Sequence, residues 1–294
     1  MNRLSVLRAA GFAMALLLAA CAAPVRPLAT PPEASVTPLP PSPPELPALP
    51  SPTPHPFAGL TEWDVVVIGD SSLWGVGEPY AALIEQTYAV QVNLHDEWQG
   101  GLSAGTILKA LRGEFEHSAK REKWPQLIRD AEVLVVFGNP QDSLDSQTAA
   151  IGWACVEFSD PGPGNIAPEQ FAAYQTDLGA IYEEVAALRA GRPLILRAAG
   201  TYNPALNEWR AEGFDDLCVA FWEGLNAAVK QAAEAYGVQF VDTYAAFNGP
   251  DHTQDPREQG WIREDGEHPS DAGAQHYAAL LLASGNATWV YERP

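Results

Sequence analysis

The chain has 294 residues, 47% of them hydrophobic with nine tryptophans, and a formal net charge of −20. That composition belongs to a folded globule with one sizeable core. A surface this acidic repels phosphate backbones and anionic headgroups, which argues against nucleic acid as a partner.

Residues 1–20 read as an export signal. Arg3 and Arg8 precede the apolar stretch Ala9 to Ala20, which is too short for the roughly 20 apolar residues that a membrane-spanning helix needs. The segment ends Leu18-Ala19-Ala20-Cys21, and small residues before a cysteine resemble the bacterial lipoprotein signal. Cys21 would then be lipidated and hold the protein to the membrane on the extracytoplasmic side. An ordinary secretory signal with a chance cysteine is the alternative, and leaves the protein secreted. Residues 21–57 are rich in Pro, Ser, Thr and Ala, a composition that favours extended polyproline II, so this is a semi-rigid linker. One folded domain is expected over 58–294, acting as a monomer. It holds the two remaining cysteines, Cys155 and Cys218. In an oxidising compartment an even pair invites a disulfide, with two buried thiols as the alternative.

Within the domain, strands and helices alternate. Val65–Ile68 is a β-branched run bounded by Gly69, which reads as a buried parallel strand. Tyr80–Tyr88 has helical character, Val90–Leu94 is a short strand, and Ser103–Leu111 is a helix with Ile107, Leu108 and Leu111 on one face. Trp124–Ile128 is a further helical piece, and Val133–Phe137 a second continuous apolar strand. Residues 140–168 are rich in turn formers and read as a long irregular insertion of functional or mobile character. Helices are expected over Pro168–Ala190, Phe214–Tyr236 and Ser270–Ala283, the last with Ser270 as N-cap. Strands fall at Leu194–Ala198 and Val238–Val241. Such alternation means a mostly parallel five-stranded sheet with helices on both faces, a three-layer α/β/α fold.

Two short stretches carry chemistry. Gly69-Asp70-Ser71 follows the first strand, and in open α/β sheets the residues beyond a strand's carboxyl end face the ligand crevice. Ser71 is thus placed where a nucleophile would be. Near the C-terminus, Asp265-Gly-Glu-His268-Pro269 precedes a helix. An Asp three residues before a His lets the carboxylate reach the imidazole, fixing its tautomer while the other nitrogen takes a serine's proton. Pro269 bars His268 from helical geometry. His55, His95, His117, His252 and His276 have no such setting and read as surface or structural residues.

Together these stretches resemble the SGNH/GDSL hydrolase family over about residues 62–284. Gly69-Asp70-Ser71 is similar to the family's first block, and Asp265, His268 and Pro269 to its last. The resemblance implies a flavodoxin-like fold and a serine esterase with a triad of Ser71, His268 and Asp265, needing no cofactor. It further implies an oxyanion hole from Gly101, with Gly105 as the fallback, and from Asn139. The third block departs from the family's Gly-x-Asn-Asp: here it reads Gly138-Asn139-Pro140-Gln141-Asp142. The substrate expected is a carboxylic ester of a short acyl group, with the O-acetyl groups of a polysaccharide as one candidate, on which Trp153, Phe158, Trp209 and Trp222 could stack. Two other readings stand beside it. Gly101-Leu-Ser103-Ala-Gly105 fits the G-x-S-x-G elbow of α/β-hydrolases, with Ser103 as nucleophile. The altered third block also fits a non-catalytic envelope lipoprotein that binds a glycan or partner. No metal-ligand cluster or phosphate-cradling loop is recognisable.

Overall fold

The computed structural model describes residues 57–114 and 118–291. The expected signal segment, Cys21, the linker before Phe57, His55 and His117 lie outside the described residues. Phe57 itself is buried, packed edge-on against Trp63 with ring centroids 5.5 Å apart.

The described residues form a five-stranded sheet in the order β2-β1-β3-β4-β5, every pairing parallel. In chain order the elements are β1 (Glu62–Gly69), α1 (Gly77–Tyr88), β2 (Gln91–Asp96), α2 (Ala104–Leu111), α3 (Ala119–Glu122), α4 (Trp124–Asp130) and β3 (Val133–Phe137). They continue as α5 (Ser146–Val156), α6 (Ala172–Arg189), β4 (Ile195–Ala199), α7 (Leu206–Glu212), α8 (Asp215–Ala235), β5 (Gln239–Val241), α9 (Thr243–Asn248) and α10 (Asp271–Ala283). β3 and β4 are buried at every position, as strands covered on both faces must be. Helices α1 and α10 pack together, and α6 packs between α2 and α8. Right-handed crossovers require that split, because the chain moves one way from β1 to β2 and the other way through β3, β4 and β5. The expected three-layer α/β/α fold is therefore the fold observed.

The reversal of direction falls between β1 and β3. Their register pairs Gly69 with Phe137, so the loops carrying Ser71 and Asn139 leave the sheet side by side at the switch point, where such sheets bind ligands.

One expectation is corrected. Residues 140–168 are not wholly irregular, because α5 occupies their centre. Asp145 caps it by accepting hydrogen bonds from the N–H groups of Gln147 and Thr148 at 2.9 and 3.0 Å, which satisfies donors that a helix start leaves open. Ile151 and Cys155 are buried, and α5 packs on α8. In the structure Cys155 and Cys218 are joined by a disulfide between those two helices, with Cα atoms 5.7 Å apart. Among the described residues no helix is long and apolar enough to cross a membrane.

Candidate active site

Ser71 opens a single 3-10 turn, Ser71–Leu73, directly after β1. Asp70 caps the turn by accepting from the Ser72 N–H at 2.9 Å. Gly69 makes the sharp exit possible: a Cβ there would lie 2.8 Å from the Phe137 carbonyl oxygen and would strike the Leu73 side chain. The same turn carries Trp74, whose ring meets the His268 imidazole edge-on at 5.2 Å and stacks on Trp98 at 5.4 Å.

The Asp265–Pro269 loop is held by short-range bonds. Asp265 Oδ1 accepts from the N–H groups of Glu267 and His268, each at 3.0 Å, and Oδ2 lies 3.0 Å from His268 Nδ1. One carboxylate thus braces the loop and the imidazole together. Burial works to raise Asp265, but those N–H donors and the imidazole outweigh it and hold the carboxyl below its usual range. Arg263 clasps the loop from outside: its N–H donates to the His268 carbonyl at 2.9 Å, its Nε to the Pro269 carbonyl at 2.7 Å, and its guanidinium lies 4.0 Å over Trp74. Gly273, in the first turn of α10, lets Trp261's carbonyl approach where any Cβ would collide.

Ser71 and His268 line one small cleft, together with Asp70, Thr201, Tyr202 and Glu267. Glu267 Oε2 stands 4.0 Å from His268 Nε2. Burial raises the Glu267 carboxyl, the imidazole pulls it back, and Asp265 and Glu157 push it up further. Asp70 is pushed up to about 6, chiefly by burial and also by Glu267, against hydrogen bonds from Ser72 and the Asn139 side chain.

Asn139 is locked to the loop after β2. Its N–H donates to the Leu102 carbonyl and its own carbonyl accepts from Ala104, both at 3.0 Å. The neighbouring Gly138 is pressed so close that a Cβ would lie 2.7 Å from Ala104. Asn139 Oδ1 accepts from the Gln141 N–H at 3.1 Å, which, with the bond to Asp70, orients the amide. Gly101, in the left-handed region at φ 66°, lines a second cavity with Ser71 and Asn139. Gly105 does not join them: its N–H faces Asp142 Oδ1 at 3.4 Å, and the Asp142 carboxylate fills the space beside it.

A sequence model of the GDSL-like lipase/acylhydrolase family matches residues 67–276, from β1 into α10. The chain belongs to this family, and is a hydrolase of the GDSL type. It is 23% identical over 229 residues to the spore germination lipase LipC of Bacillus licheniformis, spanning 74% of this chain and 94% of that protein. Among solved structures, the fold is similar to the lipase Lip_vut3 from a goat rumen metagenome, with TM-score 0.55 and 22% identity over 76% of this chain and 97% of that one. It is also similar to a putative GDSL-like lipase from Parabacteroides merdae, with TM-score 0.50 and 15% identity over 76% and 96% of the two chains.

In this GDSL-type domain the competing serine has another task. Ser103 is not on a nucleophile elbow; it is the N-cap of α2, accepting from the Thr106 N–H at 3.2 Å and donating to Asp142 Oδ2 at 2.5 Å. The two glycines around it serve the loop and the helix start. Of the four aromatics expected to face a sugar, Trp209 is fully buried with its Nε1–H on the Cys155 carbonyl, so it cannot. Trp222 lines the cleft with its Nε1–H tied to the Tyr202 carbonyl at 2.7 Å, whereas Trp153 is 52% exposed. The described histidines outside the site pair elsewhere: His95 with Asp64, His252 with Glu223, and His276 stacked on Trp261. The described residues contain no group of three or more side chains that would hold a metal ion.

Sequence reasoning missed Trp74 and Glu267 as parts of the site. Trp74 lies three residues after the candidate nucleophile, close enough in sequence to have been suspected. Nothing in the spacing of Asp265 and His268 says where the side chain of Glu267 points.

Proposed function

We propose that the protein is a serine hydrolase of carboxylic esters. Ser71 Oγ attacks the ester carbonyl, His268 Nε2 takes the proton, and Asp265 holds the Nδ1 side and stabilises the imidazolium. The backbone N–H groups of Ser71 and Gly101 with the Asn139 amide receive the negative charge that develops on the carbonyl oxygen. His268 then returns the proton to the departing alcohol oxygen. An acyl-serine remains, and water activated by the same imidazole releases it.

The observation that carries this reading is the joint setting of three groups. Ser71 and His268 line one cleft, and Asp265 bonds the imidazole nitrogen, at 3.0 Å, that would face away from a serine. The test is turnover of a p-nitrophenyl ester together with labelling by a fluorophosphonate, which requires an activated serine. Ser71→Ala and His268→Ala should each lower kcat by roughly 10³-fold or more, with labelling gone in the first. Ser103→Ala should keep turnover within a few-fold. A wild type that neither turns over nor labels sinks the proposal and leaves a binding protein on a hydrolase fold.

A further inference from the structure

We propose that the enzyme selects esters of medium-length acyl chains, of about six to eight carbons, rather than acetyl esters; this rests on the hydrolase reading above. Two cavities meet at Ser71, and the reaction assigns them. The departing alcohol oxygen must reach His268 Nε2 to be protonated, so the alcohol occupies the cleft that His268 lines. The acyl chain is left with the other cavity, which begins at Ser71, Gly101 and Asn139 and lacks His268 in its lining.

The lining of that cavity is mostly apolar, with Asp70, Gln141, Thr201 and Glu267 as its further polar members. Leu144, Ala149 and Val156 form one wall, on and beside α5, while Phe221 and Leu225 form the other, on α8, with Phe137 between. It measures about 170 Å³. An apolar cavity of about 150 Å³ accommodates benzene, so this one takes on the order of six carbons. An acetyl group would leave most of it empty, and an empty apolar cavity forgoes the contacts a chain would make. Two details shape the chamber. Gly152 lets the Phe221 ring press against α5 where a Cβ would collide. The Cys155–Cys218 disulfide fastens the two walls together beside the pocket-lining Val156 and Phe221.

The experiment is a series of p-nitrophenyl esters from two to sixteen carbons on the full chain, since a constant alcohol isolates the acyl side. Burial of each methylene contributes about fourfold, so kcat/KM should rise on the order of 100-fold from acetate to hexanoate and fall beyond about eight carbons. Ala149→Phe, at a half-exposed helix position, fills the chamber: hexanoate and octanoate should lose at least tenfold while acetate stays within about threefold, which also reports an intact fold. Leu144→Ala should move the optimum to longer chains. Ser71-dependent turnover that is highest for acetate overturns this inference and leaves the hydrolase reading intact. So does an Ala149→Phe variant that slows every ester equally. Absence of Ser71-dependent turnover across the whole series overturns the hydrolase reading instead.

Discussion

The two sides of the Ser71 cleft are built by different means. On the polar side, the hydrogen bonds that hold His268 come from its own neighbourhood: Asp265 lies three residues away and holds both the loop backbone and the imidazole, and Trp74 of the Ser71 turn adds a ring contact. On the apolar side, the walls come from α5 and α8, whose bridged cysteines are 63 residues apart in sequence. The polar side is a local motif set on a sheet edge, whereas the apolar side exists only after two distant helices have docked. On the proposed reading, chemistry and selectivity are separable, and each should be open to damage without the other.

The largest effect that sharpens this division is expected at Asn139. Loss of one oxyanion donor typically lowers kcat by roughly 10²- to 10³-fold, so Asn139→Ala should slow hexanoate and acetate esters by the same factor within that range. The amide would meet the carbonyl oxygen, which every ester shares. If the variant instead flattens the chain-length profile, Asn139 belongs to the selective wall and the division fails.

The same contrast governs what the sequence made legible. Val133–Phe137 was readable to the residue because a five-residue apolar run, mostly β-branched or aromatic and ended by Gly138-Asn139-Pro140, is too short for a buried helix and fits a strand covered on both faces. The Asp265–His268 pairing was readable because it spans three residues. Helix α5 was not: Pro140 and the Asp160-Pro-Gly-Pro-Gly164 run flank it, and its burial depends on α8. Its N-terminal signal was nonetheless present, with Asp145 three residues before Thr148 accepting from that residue's N–H and hydroxyl. Helices α7 and α9 are too short for periodicity to show. They stand between buried side-chain bonds such as Asn248 to Asn203 and Asp255 to the Asn207 N–H, which only the folded chain assembles. Between Gly101 and Gly105 the sequence offers only the family's offsets; that Asp142 occupies the Gly105 side is visible only in the folded chain.

An intermediate effect is expected from the clasp between the walls. Replacing both Cys155 and Cys218 by serine frees a long loop in the unfolded chain and should cost roughly 2–4 kcal/mol of stability, read from denaturant unfolding. The apolar side should also lose definition, so the ratio of hexanoate to acetate turnover narrows while acetate turnover is kept. An unchanged ratio would mean that packing of α5 on α8 holds the chamber without the bridge.

The smallest effect concerns Asp70, which lines both cavities and so sits on the boundary between the two sides. Its carboxyl is pushed up to about 6 in the folded protein from an ordinary value of 3.8, mainly by burial. Between those values the native state binds more protons than the unfolded state, so this group's contribution to stability falls as pH rises from about 4 to about 6 and is level outside that window. Asp70→Asn removes the titration. It also disturbs the bond with the Asn139 side chain, but that penalty is the same at every pH. The melting temperature of the variant relative to the wild type should therefore climb by roughly 5–10 °C between pH 4 and pH 7, whatever its starting offset. A difference that stays constant across the range would mean that water reaches Asp70 freely. The carboxyl would then cap the Ser71 turn as an ordinary surface acid, and the boundary between the two sides would be wetter than its packing implies.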